Sequence, residues 1–187
     1  MEKSKRKVRL LTDTCSLMKL LAAGDKLFAS KALQIGDLVV HPVVFNETRK
    51  WHKTKKEKYK NELSTLNEVK STSGIRVSGT LKSINEKTIR LTADEIEKAI
   101  GNADIEKISS AMVHGMSLIT NDGPMAEIAE ILEIEVWTAE QIVIEALECK
   151  VLSKSEVESL IKLWASRNEK APSKKDKGSF QKLGIKC

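Results

Sequence analysis

Residues 103–122, ADIEKISSAMVHGMSLITND, decide the fold that this sequence predicts. The first half has apolar residues at helical spacing, and Gly115 is typical of the end of a helix. The second half has the pattern of a short buried strand. A helix of about 12 residues and a strand of about 6 residues cover nearly the same length. An antiparallel helix and strand therefore place Asp104 and Asp122 at the same end of a domain.

The composition indicates a soluble, globular chain. Of its 187 residues, 41% are hydrophobic and 31% are charged, which favours one domain with tails. No apolar run approaches the roughly 20 residues needed to span a bilayer, so no membrane role is expected. Residues 1–10 are basic and no apolar signal-peptide region follows them, so we expect a cytoplasmic location. The three cysteines are widely spaced, which argues against a disulfide framework or a zinc site.

Positive charge is concentrated in three segments. The net charge is +6, and lysine and arginine cluster in residues 1–7, 49–60 and 166–187, whereas the remaining chain is acidic. Basic patches on an acidic body suit a polyanion that binds around a carboxylate or metal centre. The alternative is an ordinary solvated, lysine-rich surface. For residues 49–60, which lie between structured segments, we favour a binding role.

Strand and helix patterns alternate along the chain. Buried strands are predicted at residues 8–12, 38–41, 118–120 and 134–137, with helical patterns between them. This alternation favours a mostly parallel sheet with right-handed crossovers.

Further elements are predicted from caps and breaks in the pattern. A basic helix is predicted from Pro42 to about Val69, and residues 71–91 are read as a hairpin or an irregular loop. Capping boxes at Thr92, Thr138 and Ser153 predict the starts of three more helices.

Acidic residues accompany the ends of the predicted strands. Asp13 and Asp122 directly follow strands, Glu47 lies early in the helix after the second strand, and Asp104 lies near a helix start. Carboxyl ends of parallel strands meet at one edge of a sheet, so we expect the four acids to converge. Converging carboxylates repel one another unless a cation lies among them, and Mg²⁺ prefers oxygen ligands. With the adjacent basic segment, these residues predict a metal-dependent phosphodiesterase that acts on nucleic acid.

Each acid also has a structural alternative. An aspartate at a strand end is often a turn or cap residue, which applies to Asp13 and Asp122. Asp104 follows Asn102, so helix capping competes with a role in a site, and Glu47 could be an ordinary surface residue. The ordered set of four, rather than any single member, indicates a functional site.

At these positions the sequence resembles the PIN-domain nucleases, in particular the VapC-type toxins of bacterial toxin–antitoxin pairs. The signs are an apolar strand into Asp13-Thr14, Glu47 early in a helix, and Asp104 before a helix ending in His114-Gly115. The segments Leu118-Ile119-Thr120-Asn121-Asp122 and Val136-Trp137-Thr138 complete the pattern. The resemblance extends over residues 8–148.

The resemblance implies a PIN-like α/β fold, a three-layer sandwich with a central, mostly parallel sheet of about five strands and helices on both faces. The domain would occupy residues 8–150, with residues 71–91 as a hairpin or loop insertion. A basic arm at 1–7 precedes it, and a helix at 151–166 and a basic flexible tail at 167–187 follow it.

The resemblance also implies an activity, a set of site residues and partners. The activity is hydrolysis of RNA by an endoribonuclease that depends on Mg²⁺ or Mn²⁺. The implied catalytic residues are Asp13, Glu47, Asp104 and Asp122; the implied metal ligands are Asp13, Asp104 and Asp122; the implied substrate-binding residues are Thr120, Asn121, Arg49, Lys50 and Lys53. Such toxins are held inactive by a small antitoxin protein, and they often form homodimers.

Two other functions remain open from the sequence. One is a catalytically silent, PIN-like module that binds RNA through the basic segment and cleaves nothing. The other is a phosphohydrolase or receiver-type α/β domain, which would need a second aspartate close after Asp13; residues 14–16 are Thr-Cys-Ser and supply none.

Overall fold

The computed structural model describes residues 9–24, 26–29, 36–68, 77, 79–169 and 171–185. Its strands are β1 (Arg9–Thr12), β2 (Asp37–Val40), β3 (Ser117–Ile119) and β4 (Val136–Trp137). Its helices are α1 (Thr14–Leu21), α2 (Lys26–Ala29), α3 (Pro42–Arg49), α4 (Lys53–Lys58), α5 (Lys60–Glu68), α6 (Gly79–Glu95), α7 (Asn102–His114), α8 (Gly123–Ile131), α9 (Ala139–Glu148), α10 (Lys154–Ser166) and α11 (Lys174–Lys182).

The strands form one sheet in the order β2-β1-β3-β4, and every pair is parallel. The prediction of a mostly parallel sheet is therefore confirmed, although the sheet has four strands in the described residues rather than about five. Because all strands run the same way, the residues that follow β1, β2 and β3 lie along the same edge.

The core lies on both faces of this sheet. Successive side chains of a strand point to opposite faces. Leu10 therefore packs in one cluster, with residues of α9, α10 and α11, and Leu11 packs in a second cluster, with residues of α6, α7 and α8. Helices thus cover the sheet on both sides, as predicted.

The stretch 103–122 forms the predicted helix and strand, although β3 has three residues rather than about six. Residues 102–114 form α7, and Gly115 ends the helix in the left-handed conformation, with φ 58° and ψ 47°. Strand β3 then returns between β1 and β4 at the centre of the sheet. The predicted capping boxes of Thr138 and Ser153 are also confirmed, at the starts of α9 and α10.

The single basic helix predicted from Pro42 to Val69 is wrong. The chain forms three helices, α3, α4 and α5, in its described part, and Val69 lies outside that part. The imidazole of His52 accepts a hydrogen bond from the backbone N–H of Thr54 and so begins α4 as its N-cap. Tyr59, with φ −113° and ψ 29°, then separates α4 from α5.

The hairpin or loop predicted at residues 71–91 is wrong where the structure describes the chain. Residues 71–76 and 78 lie outside the described part, but residues 79–95 form α6. Ile89 and Ala93 lie on the buried side of this helix and pack against residues of α7. Thr92 does not begin a helix; it lies inside α6 and its hydroxyl donates to the carbonyl of Thr88.

A flexible tail from residue 167 is also contradicted in the described residues. Ser173 caps α11, and Phe180 is fully buried in the cluster that contains Leu10. Ile185, beyond the helix, is 2% exposed. The basic C-terminal segment therefore packs on the sheet-covering helices through two apolar side chains.

We expect Phe180→Leu to lower the free energy of unfolding by about 1.5 kcal/mol. The phenyl ring is fully buried, and the smaller leucine side chain leaves a cavity in its place. Urea denaturation followed by circular dichroism measures the change. Gln181→Ala, at an exposed position of the same helix, is the control and should change stability by less than about 0.5 kcal/mol. Equal stability of both variants and the unaltered protein would contradict the docking of α11.

Candidate functional site

The four acids singled out in the sequence meet at one cavity of about 420 Å³. Asp13 follows β1 and caps α1, and Asp122 follows β3 and caps α8. Glu47 lies on α3, directly after β2, and Asp104 lies in the first turn of α7. The N-cap of α7 is Gly101, so Asp104 does not serve as the cap residue.

Asp13 is the most buried of the four acids and is 4% exposed. Its Oδ1 accepts a hydrogen bond from the backbone N–H of Ser16 at 2.5 Å, and its Oδ2 accepts one from the hydroxyl of Thr120. Burial raises the pKa of the Asp13 carboxyl, and these hydrogen bonds, together with the charge of Lys107, offset only part of that rise.

Asp122 is held differently. Its Oδ1 accepts a hydrogen bond from the backbone N–H of Met125 at 2.9 Å, as expected for a helix N-cap. Its own N–H donates to the hydroxyl oxygen of Thr120 at 3.1 Å. Thr120, which is 1% exposed, therefore connects Asp13 to Asp122.

A lysine that the sequence reasoning missed lies between the other two acids. Nζ of Lys107 is 2.9 Å from Oε2 of Glu47 and 3.2 Å from Oδ1 of Asp104, and its side chain is only 1% exposed. The hydroxyl of Thr14 donates to the same Glu47 oxygen at 2.5 Å. Burial lowers the pKa of Lys107, but the carboxylates of Glu47 and Asp104 outweigh it, and the pKa of the ammonium lies above its ordinary value.

Asn121 contributes to the cavity wall and belongs to a second network. Its amide donates to Oε2 of Glu140 at 2.5 Å, and its Oδ1 accepts from the Ser16 hydroxyl and the Ala139 N–H at 3.0 and 3.1 Å. Glu140 in turn lies 2.7 Å from Nζ of Lys19, and both are buried. Sequence reasoning missed Glu140 and Lys19. The sequence indicates them only weakly. Lys19 is a charged residue on the apolar side of α1, and Glu140 follows the cap residue of α9.

The basic residues predicted to bind substrate lie outside the cavity. Arg49, Lys50 and Lys53 are exposed around the start of α4 and do not contribute to the cavity wall. Beside them, Lys55 Nζ lies 4.0 Å from the centre of the Trp51 ring. The basic segment does follow Glu47 in the chain. The side chains of Arg49, Lys50 and Lys53, however, face solvent rather than the cavity.

The segment after α10 also reaches the cavity. Glu169 contributes to the wall and accepts a hydrogen bond from the Tyr59 hydroxyl at 2.8 Å. Burial and this hydrogen bond raise the pKa of Tyr59. Arg167 donates two hydrogen bonds to Glu62, at 2.7 and 3.2 Å, and fixes the segment against α5. Arg167 and Glu169 belong to the segment predicted from the sequence to be a basic flexible tail.

Comparisons with known proteins identify a distant likeness. No protein-family model and no curated protein sequence match the chain. The fold is similar to a chain in the crystal structure of VapBC2 from Rickettsia felis bound to a DNA fragment from their promoter. The similarity covers 70% of this chain and 98% of that chain, at 15% sequence identity and a TM-score of 0.44. Similarity at this level assigns no family and no function.

The donor set determines which metal the cavity suits. No three Asp, Glu, His or Cys side chains of the described ranges are arranged to hold a metal ion together. Glu47 and Asp104 already pair with Lys107, whereas Asp13 and Asp122 form no ion pair within those ranges. Mg²⁺ typically takes one or two carboxylates and fills its other positions with water and phosphate oxygens. Asp13 and Asp122 therefore fit a hard divalent ion, and the full acidic set does not fit as one cluster of ligands.

Within the described residues, every helix falls short of the length and apolarity that crossing a bilayer requires.

Proposed function

We propose that this chain is a PIN-type endoribonuclease that depends on Mg²⁺ or Mn²⁺. The observation that carries the proposal is the meeting of Asp13, Glu47, Asp104 and Asp122 at one cavity on the carboxyl edge of a parallel sheet. Open α/β sheets bind their ligands at this edge.

The residues would divide the work. Asp13 and Asp122 would hold the ion; the Thr120 hydroxyl orients the Asp13 carboxylate, and its oxygen fixes the backbone of Asp122 by accepting the N–H. A bound divalent ion lowers the pKa of water and stabilises displacement at phosphorus. Glu47, which is fixed by Thr14 and Lys107, would orient the attacking water.

The basic surface supplies the preference for a polyanion. Arg49, Lys50 and the lysines of α4 are exposed on the chain segment that follows Glu47. Cations of this kind bind a phosphate backbone without reading its sequence, and they bind less tightly as salt rises. The expected substrate is cytoplasmic RNA.

We also propose a toxin role, with a small antitoxin protein as the natural inhibitor and a homodimer as the assembly. A reading frame for a small DNA-binding protein beside this one would support the pairing. Co-purification of the two products, and loss of RNA cleavage in their complex, tests it.

The second candidate is a catalytically silent RNA-binding module. The observation that favours it is the pairing of Lys107 with two of the four acids, which removes them from a larger metal cluster. Such a module binds RNA with a steep salt dependence, and addition of a chelator leaves that binding unchanged.

A cleavage assay on single-stranded RNA separates the candidates. The nuclease proposal predicts cleavage with Mg²⁺ or Mn²⁺, none with EDTA, and a loss of about 100-fold or more in Asp122→Asn. Asparagine caps helices as well as aspartate does, so α8 should remain intact. Glu127→Gln, an exposed acid on the same helix, is the control and should cleave normally. Full activity of Asp122→Asn would end the nuclease proposal.

A further inference from the structure

Two of the four acids at the cavity already have a cation that the chain itself supplies. The ammonium of Lys107 lies 2.9 Å from Glu47 and 3.2 Å from Asp104, so it bridges α3 and α7. The two carboxylates are about one third exposed, whereas the lysine is 1% exposed. The cation therefore lies beneath the acids, where Lys107 forms part of the cavity wall.

The lysine has little freedom to leave this position. It occupies the buried side of α7, where Ile105, Ile108 and Ala111 pack in the core. Removing an ammonium from its partners inside a protein costs far more than breaking a pair in water. Lys19 also contributes to the cavity wall, but its ammonium lies against Glu140 and so does not replace Lys107.

We propose that Lys107 is a resident cation that limits the cavity to one divalent ion. This inference rests on the proposed function, because it concerns the metal of that site. Lys107 neutralises Glu47 and Asp104, and the ion binds at Asp13 and Asp122. Lys107 is thus a positioning residue: it holds Glu47 in place and prevents a second ion from binding between Glu47 and Asp104.

The charge pattern of the remaining wall supports this division. Among the described residues Asp13 forms no ion pair, and its carboxylate accepts hydrogen bonds from Ser16 and Thr120. The Asp122 carboxylate accepts a hydrogen bond from the backbone N–H of Met125 at the N-terminus of α8. Within the described part of the chain, Glu47 and Asp104 form ion pairs with Lys107, whereas Asp13 and Asp122 make hydrogen bonds and no ion pair.

Titration calorimetry with Mn²⁺ on the full chain tests the inference. We expect one ion for the unaltered protein and two for Lys107→Met, which removes the ammonium and keeps an unbranched, apolar side chain. In EDTA, Lys107→Met should melt at a lower temperature, and Mn²⁺ should raise its melting temperature at least twice as much as that of the unaltered protein. Lys98→Met, an exposed lysine 3.7 Å from Glu127, is the control and should bind one ion.

The outcomes separate this inference from the nuclease proposal. One ion in both proteins, or two in the unaltered protein, overturns the role of Lys107 and leaves the proposed function standing. No ion in the unaltered protein overturns the metal-dependent function and this inference with it. If Lys107→Met does not fold, the variant E47Q/D104N/K107M decides, because it removes all three charges together. One bound ion in that variant supports binding at Asp13 and Asp122 without Glu47 and Asp104, and no bound ion overturns the inference.

Discussion

Asp13→Asn is expected to lower RNA cleavage on the order of 1000-fold, because a carboxylate that holds the ion contributes several kcal/mol to the transition state. The same variant is expected to raise the free energy of unfolding of the metal-free protein by on the order of 1 kcal/mol. The gain follows from burial: the carboxyl is 4% exposed, and its raised pKa shows that the fold disfavours its charge. Activity and stability should therefore change in opposite directions.

The stability gain has a definite pH dependence. A carboxyl whose pKa is raised by folding binds its proton more tightly in the folded state, so its charged form costs stability at higher pH. Above the raised pKa the unaltered protein carries this cost and Asp13→Asn does not. As the pH falls through the raised pKa towards the ordinary value of 3.8, the difference between the two should shrink. Urea denaturation in EDTA at pH 7 and at successively lower pH measures it.

Asp176→Asn is the matched control for both measurements. Asp176 is also buried, at 5% exposed, and accepts a hydrogen bond from Ser173 at 2.7 Å, but it lies on α11 and does not contribute to the cavity wall. Its replacement should leave cleavage unchanged. Normal cleavage by Asp13→Asn would remove Asp13 from the proposed machinery, and a loss of stability would show that its hydrogen bonds outweigh its desolvation.

The parts of the fold predicted correctly are those with local causes. The end of α7 depends on Gly115, which adopts the left-handed conformation, and the start of α9 depends on Thr138 and Gln141, which cap each other's backbone groups. The convergence of the acids follows from parallel strands, which end at one edge. Each of these features depends either on residues close together in the sequence or on the general geometry of a parallel sheet, so it can be predicted from the sequence.

The errors have causes that lie elsewhere in the chain. Leu91 contributed to the alternating pattern that predicted a hairpin, yet it is 54% exposed on α6 and marks no buried face. Phe180 and Ile185 lie in a lysine-rich segment, and the core that buries them comes from α9 and α10. Lys107 looks solvent-facing by residue type, and only the approach of Glu47 on α3 explains its burial.

Lys19 is a second buried lysine whose partner could not be predicted from the sequence. Its replacement is expected to have a large effect on stability. Its ammonium lies 2.7 Å from Glu140, with both side chains 4% exposed or less, and 5.1 Å from the centre of the Trp164 ring. Lys19→Met should lower the free energy of unfolding by about 3 kcal/mol, because it leaves the Glu140 charge buried without its partner. Because Glu140 also fixes Asn121, cleavage should fall as well.

Lys19→Met/Glu140→Gln should recover most of the lost stability, since it removes the unpaired charge while a glutamine oxygen still accepts from the Asn121 amide. Lys26→Met is the matched control: it breaks a pair with Glu156 in which the two side chains are 56% and 40% exposed, and it should cost less than about 1 kcal/mol. Urea denaturation of the unaltered protein, Lys19→Met, Glu140→Gln and the double variant yields the coupling energy between positions 19 and 140. If Lys19→Met costs no more than Lys26→Met, the buried pair is not what holds α1 against α9, and the fixed position of Asn121 must come from Ser16 and Ala139 instead.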